Sequence, residues 1–128
     1  MTFEDLEVFK AAIELIAAIY ETTESFPARE LYGLTSQLRR AAISVAANIA
    51  EGQGRWTRGE WRQLLSHSRG SLFEIEAEVI VAHRLRYIDS ETHNELRKMC
   101  KAVGAPLAGL LRYVQGQEAL AKKRTGNT

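Results

Sequence analysis

Two stretches of the chain gather side chains that could do chemistry. The first is the stripe Arg40, Ser44, Asn48 and Glu51, inside RRAAISVAANIAEGQGR (Arg39 to Arg55). With Gln37 before it, the stripe recurs every three or four residues, so on a helix its members share one face. A guanidinium, a hydroxyl, an amide and a carboxylate in a row can hold a ligand or a partner. They can also satisfy one another, because polar groups lying between buried faces must find hydrogen bonds. Glu51 and Arg55 could equally form a surface pair. On the sequence both readings stand open.

The second stretch is RWTRGEWRQLLSHSRGS. Arg55, Arg58, Arg62 and Arg69 fall near one face of a helix, with Trp56 and Trp61 beside them. Arginine binds phosphate in a bidentate manner, and tryptophan can stack on unpaired bases. A helix starts here, and its free N-terminal amides favour anions. Together these make Arg55, Trp56, Arg58, Arg62 and Arg69 a candidate nucleic-acid surface for RNA or DNA. The alternative is a solvated charged edge with Trp61 in the core. Lys122, Lys123 and Arg124 add charge near the C-terminus.

Other chemistry finds less support. Bundle di-metal sites use Glu-x-x-His on two helices, and no Glu-x-x-His occurs here, although Glu74, Glu76 and Glu78 lie near His67 and His83. There is no HExxH, Walker loop or dinucleotide-binding glycine fingerprint. The single Cys100 has no flanking base and no disulfide partner, which suits a core thiol in a cytoplasmic protein. We expect no enzyme, no metal and no cofactor. No apolar run approaches membrane length, and MTFEDLEVF is unlike a signal peptide.

The elements that must position these residues read as helices. The 128 residues fit one domain; hydrophobic residues make up 45% and prolines number two. The net charge of +1 is unevenly spread, with an acidic first 30 residues and a basic stretch over 31–70, so any basic surface is local. The first helix begins after Thr2, which with Asp5 makes a capping-box pattern, and runs to about Glu24, with Leu6, Phe9, Ile13, Ile16 and Tyr20 on one stripe and Val8, Leu15 and Ile19 on another. The second covers about Arg29 to Glu51, ended by Gly52 and Gly54 as left-handed caps. Thr57 and Glu60 form a capping box for the third. Trp61, Leu65, Ser68, Leu72, Ile75, Val79 and Ala82 then make a heptad seam, as in helices packed at a shallow angle. Asp89 or Ser90 caps a fourth helix with the seam Leu96, Cys100, Val103, Leu107, Leu110 and Val114. Pro106 should kink or break it. Residues 1–116 thus read as an all-α, antiparallel up-down-up-down bundle, and residues 117–128 as a flexible polar basic tail.

Helix two carries a second apolar face, Ile43, Ala47 and Ala50, rotated from Leu34, Leu38, Val45 and Ile49. Helix one is two-faced as well, whereas a surface helix normally shows one apolar face. The second faces are explained either by unusual burial or by packing against other subunits.

FPARELYGLTSQLRRAAISVAANIAEGQGR, with Glu60 and GSLFEIEAEV from Gly70, resembles the four-helix-bundle proteins of 23S rRNA intervening sequences. That group includes the accessory variability determinant proteins of diversity-generating retroelements. The likeness runs from about Leu6 to Val114. It implies a bundle that assembles as a ring-like homopentamer, with no known enzyme activity, and in retroelement members binding to nucleic acid and a reverse transcriptase. Ala46 and Ala47 stand where the family often has proline, which implies a straighter second helix. Two roles follow as expectations: an oligomeric accessory module that binds nucleic acid weakly, or a protein-directed scaffold without nucleic acid.

Overall fold

The computed structural model describes residues 2–55 and 57–125. Four α-helices follow one another: α1 (Glu7–Thr23), α2 (Leu34–Gln53), α3 (Arg58–Arg84) and α4 (Ser90–Thr125). No strand occurs among the described residues. Each helix packs on two others, α1 on α2, α2 on α3, α3 on α4 and α4 on α1. The result is a closed four-helix bundle with short connections.

Its core is the seams. Leu65, Ser68, Leu72, Ile75, Val79 and Ala82 of α3 are all buried, as the heptad spacing predicts. On α4 the buried set is Leu96, Cys100, Val103, Leu107, Leu111 and Val114. Leu111 replaces the expected Leu110, which is half-buried. A straight helix has 3.6 residues per turn and drifts against a strict heptad, so a step of four in place of three restores the face. On α1 the core stripe is Val8, Ala12, Leu15, Ile19 and Thr23. The hydroxyl of Thr23 is satisfied within the bundle. It donates to Ile19 O at 2.7 Å and accepts from Arg39 Nε at 2.8 Å.

The helix ends differ from expectation in four places. Thr2 and Asp5 do form a capping box, but over a short 3-10 turn, Phe3–Asp5; α1 starts after an extended Leu6. The second helix starts at Leu34 rather than Arg29, because residues 28–30 form a separate 3-10 turn and Gly33 leaves the helical region. Glu30 then reaches over the break. Its carboxylate accepts the Leu34 N–H at 3.1 Å and the Tyr87 hydroxyl at 2.8 Å, which holds its pKa below the usual carboxylate value. Gly52 and Gly54 are not left-handed caps, since no glycine among the described residues has positive φ. Gly52 is buried inside α2, where a Cβ would lie 2.7 Å from Cδ1 of Trp61. Its role is close approach of α3, not chain reversal. Finally, α4 passes unbroken through Pro106 and beyond Gly116 to Thr125. The missing Pro106 N–H costs helix stability, but the buried Val103 and Leu107 on either side hold the chain in register. Lys122, Lys123 and Arg124 therefore lie on a helix, while residues 126–128 of the expected tail lie outside the described residues.

The α3–α4 turn uses a left-handed residue that is not glycine. Arg86 has φ 66°, with Arg86 N–H bonded to His83 O at 3.0 Å and Tyr87 N–H to Ala82 O at 2.9 Å. That pair of bonds is a Schellman ending, which normally favours glycine.

Candidate functional site

The polar stripe of α2 meets a matching stripe of α3. Ser71 donates its hydroxyl to Ser44 Oγ at 2.9 Å. Asn48 Nδ2 donates to Ser44 O at 2.8 Å and to Ser44 Oγ at 3.0 Å. One turn deeper, the buried Ser68 donates to the Val45 carbonyl at 2.7 Å. Asn48, Ser44 and Ser71 thus form one hydrogen-bonded set at the α2–α3 interface, and Ser68 ties α3 to the α2 backbone separately. Glu51 is not part of this set; it pairs with Arg55 at the surface. Of the four residues read together in the sequence, the structure joins Ser44 and Asn48 directly, leaves Arg40 exposed above them and sends Glu51 away.

The charge of Arg40 instead acts on Glu78 of α3. Glu78 is half-buried, and its Oε1 is enclosed without a hydrogen-bond partner among the described residues. Burial first, and then the charge of Glu74 one turn away, push its pKa up to about 7, against a weaker opposing pull from Arg40. A proton on Glu78 lets it donate to Glu74 and relieves both effects.

The pH dependence follows from that direction. In the unfolded chain Glu78 loses its proton near 4.5, whereas in the bundle it keeps it to about 7. The folded state therefore binds the extra proton between these values, and the associated stability is lost as pH rises through 7. In urea unfolding, Glu78→Gln should gain stability relative to wild type as pH is raised from 5 to 8. A pH-independent difference would show that Glu78 is ionised throughout.

The basic residues collect at the end of the bundle where α3 begins and α4 finishes. Thr57 accepts the Glu60 N–H at 3.1 Å and caps α3, so Arg58 stands exposed at the first helical position. Arg58 and Lys122 line one surface cleft of about 350 Å³, together with Glu118. Arg62 Nε donates to Glu118 at 2.7 Å, across the α3–α4 interface. Arg69 lies further along α3 and is exposed. Of the four arginines in the candidate surface, Arg55 and Arg62 are tied to carboxylates, while Arg58 and Arg69 have no ion pair among the described residues. Trp56 lies outside the described residues. Trp61 is half-buried against Gly52 and Tyr113, its ring edge-on to the latter with centroids 6.4 Å apart. Its place at the head of the core seam is structural.

The remaining reactive groups have local duties. Burial, followed by the charge of Glu76, pushes the Cys100 thiol up to about 12, which keeps it protonated and poorly nucleophilic. His83 and His93 stack at 4.4 Å across the α3–α4 turn, and His83 Nε2 contacts Ser90 Oγ at 3.2 Å. Burial, then His83, lowers the His93 pKa. No group of three His, Cys, Asp or Glu among the described residues could hold a metal. A cleft of about 570 Å³ between the end of α1 and the start of α4 carries Glu21, Asp89, Glu91 and Glu95. Asp89 caps α4 through the Thr92 N–H at 2.8 Å, and Glu91 sits where the helix dipole favours an acid. Gly70 is exposed, with open space around it. None of the described helices is long and apolar enough to cross a membrane.

Four α-helices with core seams on every one, a polar α2–α3 interface and a basic end define the chain as an all-α four-helix bundle. It belongs to the 23S rRNA-intervening sequence protein family, whose model matches residues 4–109. No curated protein matches the chain. The family match covers α1 to α3 and the first part of α4, so Lys122 and its neighbours lie beyond it.

Proposed function

We propose that the chain is a homo-oligomeric, non-enzymatic binding module that holds RNA or DNA weakly, with little sequence preference, at the end of the bundle where α3 begins. The observation that carries this reading is the meeting of Arg58 and Lys122 in one cleft. Two cations from different helices face one opening, at a helix start whose amides favour anions. A phosphate there would displace counterions, so binding should weaken as salt rises. Assembly into a homopentamer would repeat this modest site and raise its effective strength. Outward apolar residues on α1 and α2, Ile13, Tyr20 and Ile43, support that assembly.

A second reading has its own support. The Arg55–Glu51 and Arg62–Glu118 pairs offset half of the candidate arginines, as a protein-directed scaffold would allow. Fluorescence anisotropy with labelled single-stranded RNA and DNA separates the two. Arg58→Glu/Lys122→Glu should bind roughly tenfold more weakly than wild type at low salt, with helix content and subunit number unchanged. Arg62→Glu is a poorer probe, because it would set two carboxylates together at Glu118. Equal binding by wild type and the double variant favours the scaffold.

A further inference from the structure

Arg58, Arg62, Arg69 and Phe73 follow at spacings of four, seven and four along α3, so they form a single strip on its surface. The strip lies on the flank turned toward α4. Arg62 reaches Glu118 on α4, and the charge of Glu76 acts on Cys100 of α4. Phe73 is 60% exposed, far outside the core seam. Exposed Lys101 follows Cys100, and so stands on α4 near the level of Phe73. A lone exposed phenylalanine needs no explanation. One that continues a line of three arginines, one turn beyond Arg69, has the composition of a single-strand platform, in which cations track the backbone and an aromatic face receives a base.

We propose that Phe73, flanked by Arg69, stacks on an unpaired base, and that the ligand of the basic strip is single-stranded nucleic acid. This rests on the nucleic-acid reading above and adds to it the strandedness of the ligand and the residue that selects it. The strip from Arg58 to Phe73 spans ~22 Å at the helical rise per residue, long enough for phosphates to lie on Arg58 and Arg69, which have no ion pair among the described residues, while a base reaches the ring. In a duplex the bases are already stacked inside, so the ring offers them nothing and only the phosphate contacts remain. The side chain is exposed, so its removal leaves the core seam untouched.

The test is fluorescence anisotropy with a labelled oligothymidylate and with a DNA duplex of the same length, using the full chain. Phe73→Ala and Phe73→Trp are compared with wild type, each checked for helix content and for subunit number by light scattering. The expected result is a wild-type preference for the single strand, lost in Phe73→Ala through at least about fivefold weaker single-strand binding. Duplex binding should be unchanged, and Phe73→Trp should keep the preference. Equal single-strand and duplex binding that ignores Phe73→Ala would overturn the stacking role while leaving the arginine contacts standing. Absence of salt-sensitive binding to either probe would remove the nucleic-acid reading itself. A changed subunit number in Phe73→Ala would identify the ring as a contact between copies and overturn the proposal.

Discussion

Leu72→Asp should abolish cooperative folding of the bundle. Leu72 is 2% exposed in the middle of the α3 seam, and Gly104 of α4 lies against it, with Cδ2 3.5 Å from where a Cβ on that glycine would stand. Removing the side chain forfeits roughly 1.5–3 kcal/mol of burial. Enclosing a carboxylate there without a partner costs several kcal/mol more. The sum approaches or exceeds the roughly 5–15 kcal/mol by which domains are stable. Thermal scans by circular dichroism should lose their cooperative transition, while Leu72→Met, which conserves volume, should cost less than ~1.5 kcal/mol. A Leu72→Asp protein with a normal transition would mean that another face of α3 is inside.

Ile43→Glu should dissolve the proposed assembly and spare the subunit. In the single subunit Ile43 is 46% exposed and Ile13 is 42% exposed. Arg39 of α2 lies over the Tyr20 ring of α1, 4.6 Å from its centroid. With α1 and α2 antiparallel, that contact puts Ile43 level with the half-buried Ile16, and the exposed Ala47 level with the exposed Ile13. This apolar surface remains after the core is built, and burying it between copies would contribute at about 25 cal/mol per Å². A glutamate at its centre would be an unpaired charge in every interface at once. Native mass spectrometry at micromolar concentration should find pentamers for wild type and monomers for Ile43→Glu, with similar helix content. A stable wild-type monomer would contradict the assembly.

The sequence carried the bundle because heptad spacing is a local property. Every α3 seam residue from Leu65 to Ala82 could be named without knowing what packs on it. The α1 core was less legible. Two stripes compete there, and the buried one contains Ala12 and Thr23, one small and one polar, so hydrophobicity alone cannot rank it. Thr23 is admitted only because Arg39 and Ile19 satisfy its hydroxyl. The polar seam was half legible: Arg40, Ser44 and Asn48 share a face of α2, but Ser71, Glu74 and Glu78 join them through the α2–α3 register, which no spacing within one helix encodes. Gly52 looks like a cap on the sequence because its partner, Trp61, is likewise across the interface. Periodicity fades after Gly116, so the sequence alone does not show that the helix runs on to Thr125 and brings Lys122 to the cleft of Arg58.

If Arg58 and Lys122 hold phosphate, the slope of binding against salt registers it directly. Each phosphate contact to a single strand contributes about −0.7 to the slope of log affinity on log salt concentration. Wild type should give a clearly negative slope with labelled single-stranded RNA, and Arg58→Ala/Lys122→Ala a shallower one, reduced by roughly one unit or more per bound site. Parallel slopes for the two proteins, or a wild-type affinity indifferent to salt, would mean that Arg58 and Lys122 hold no phosphate.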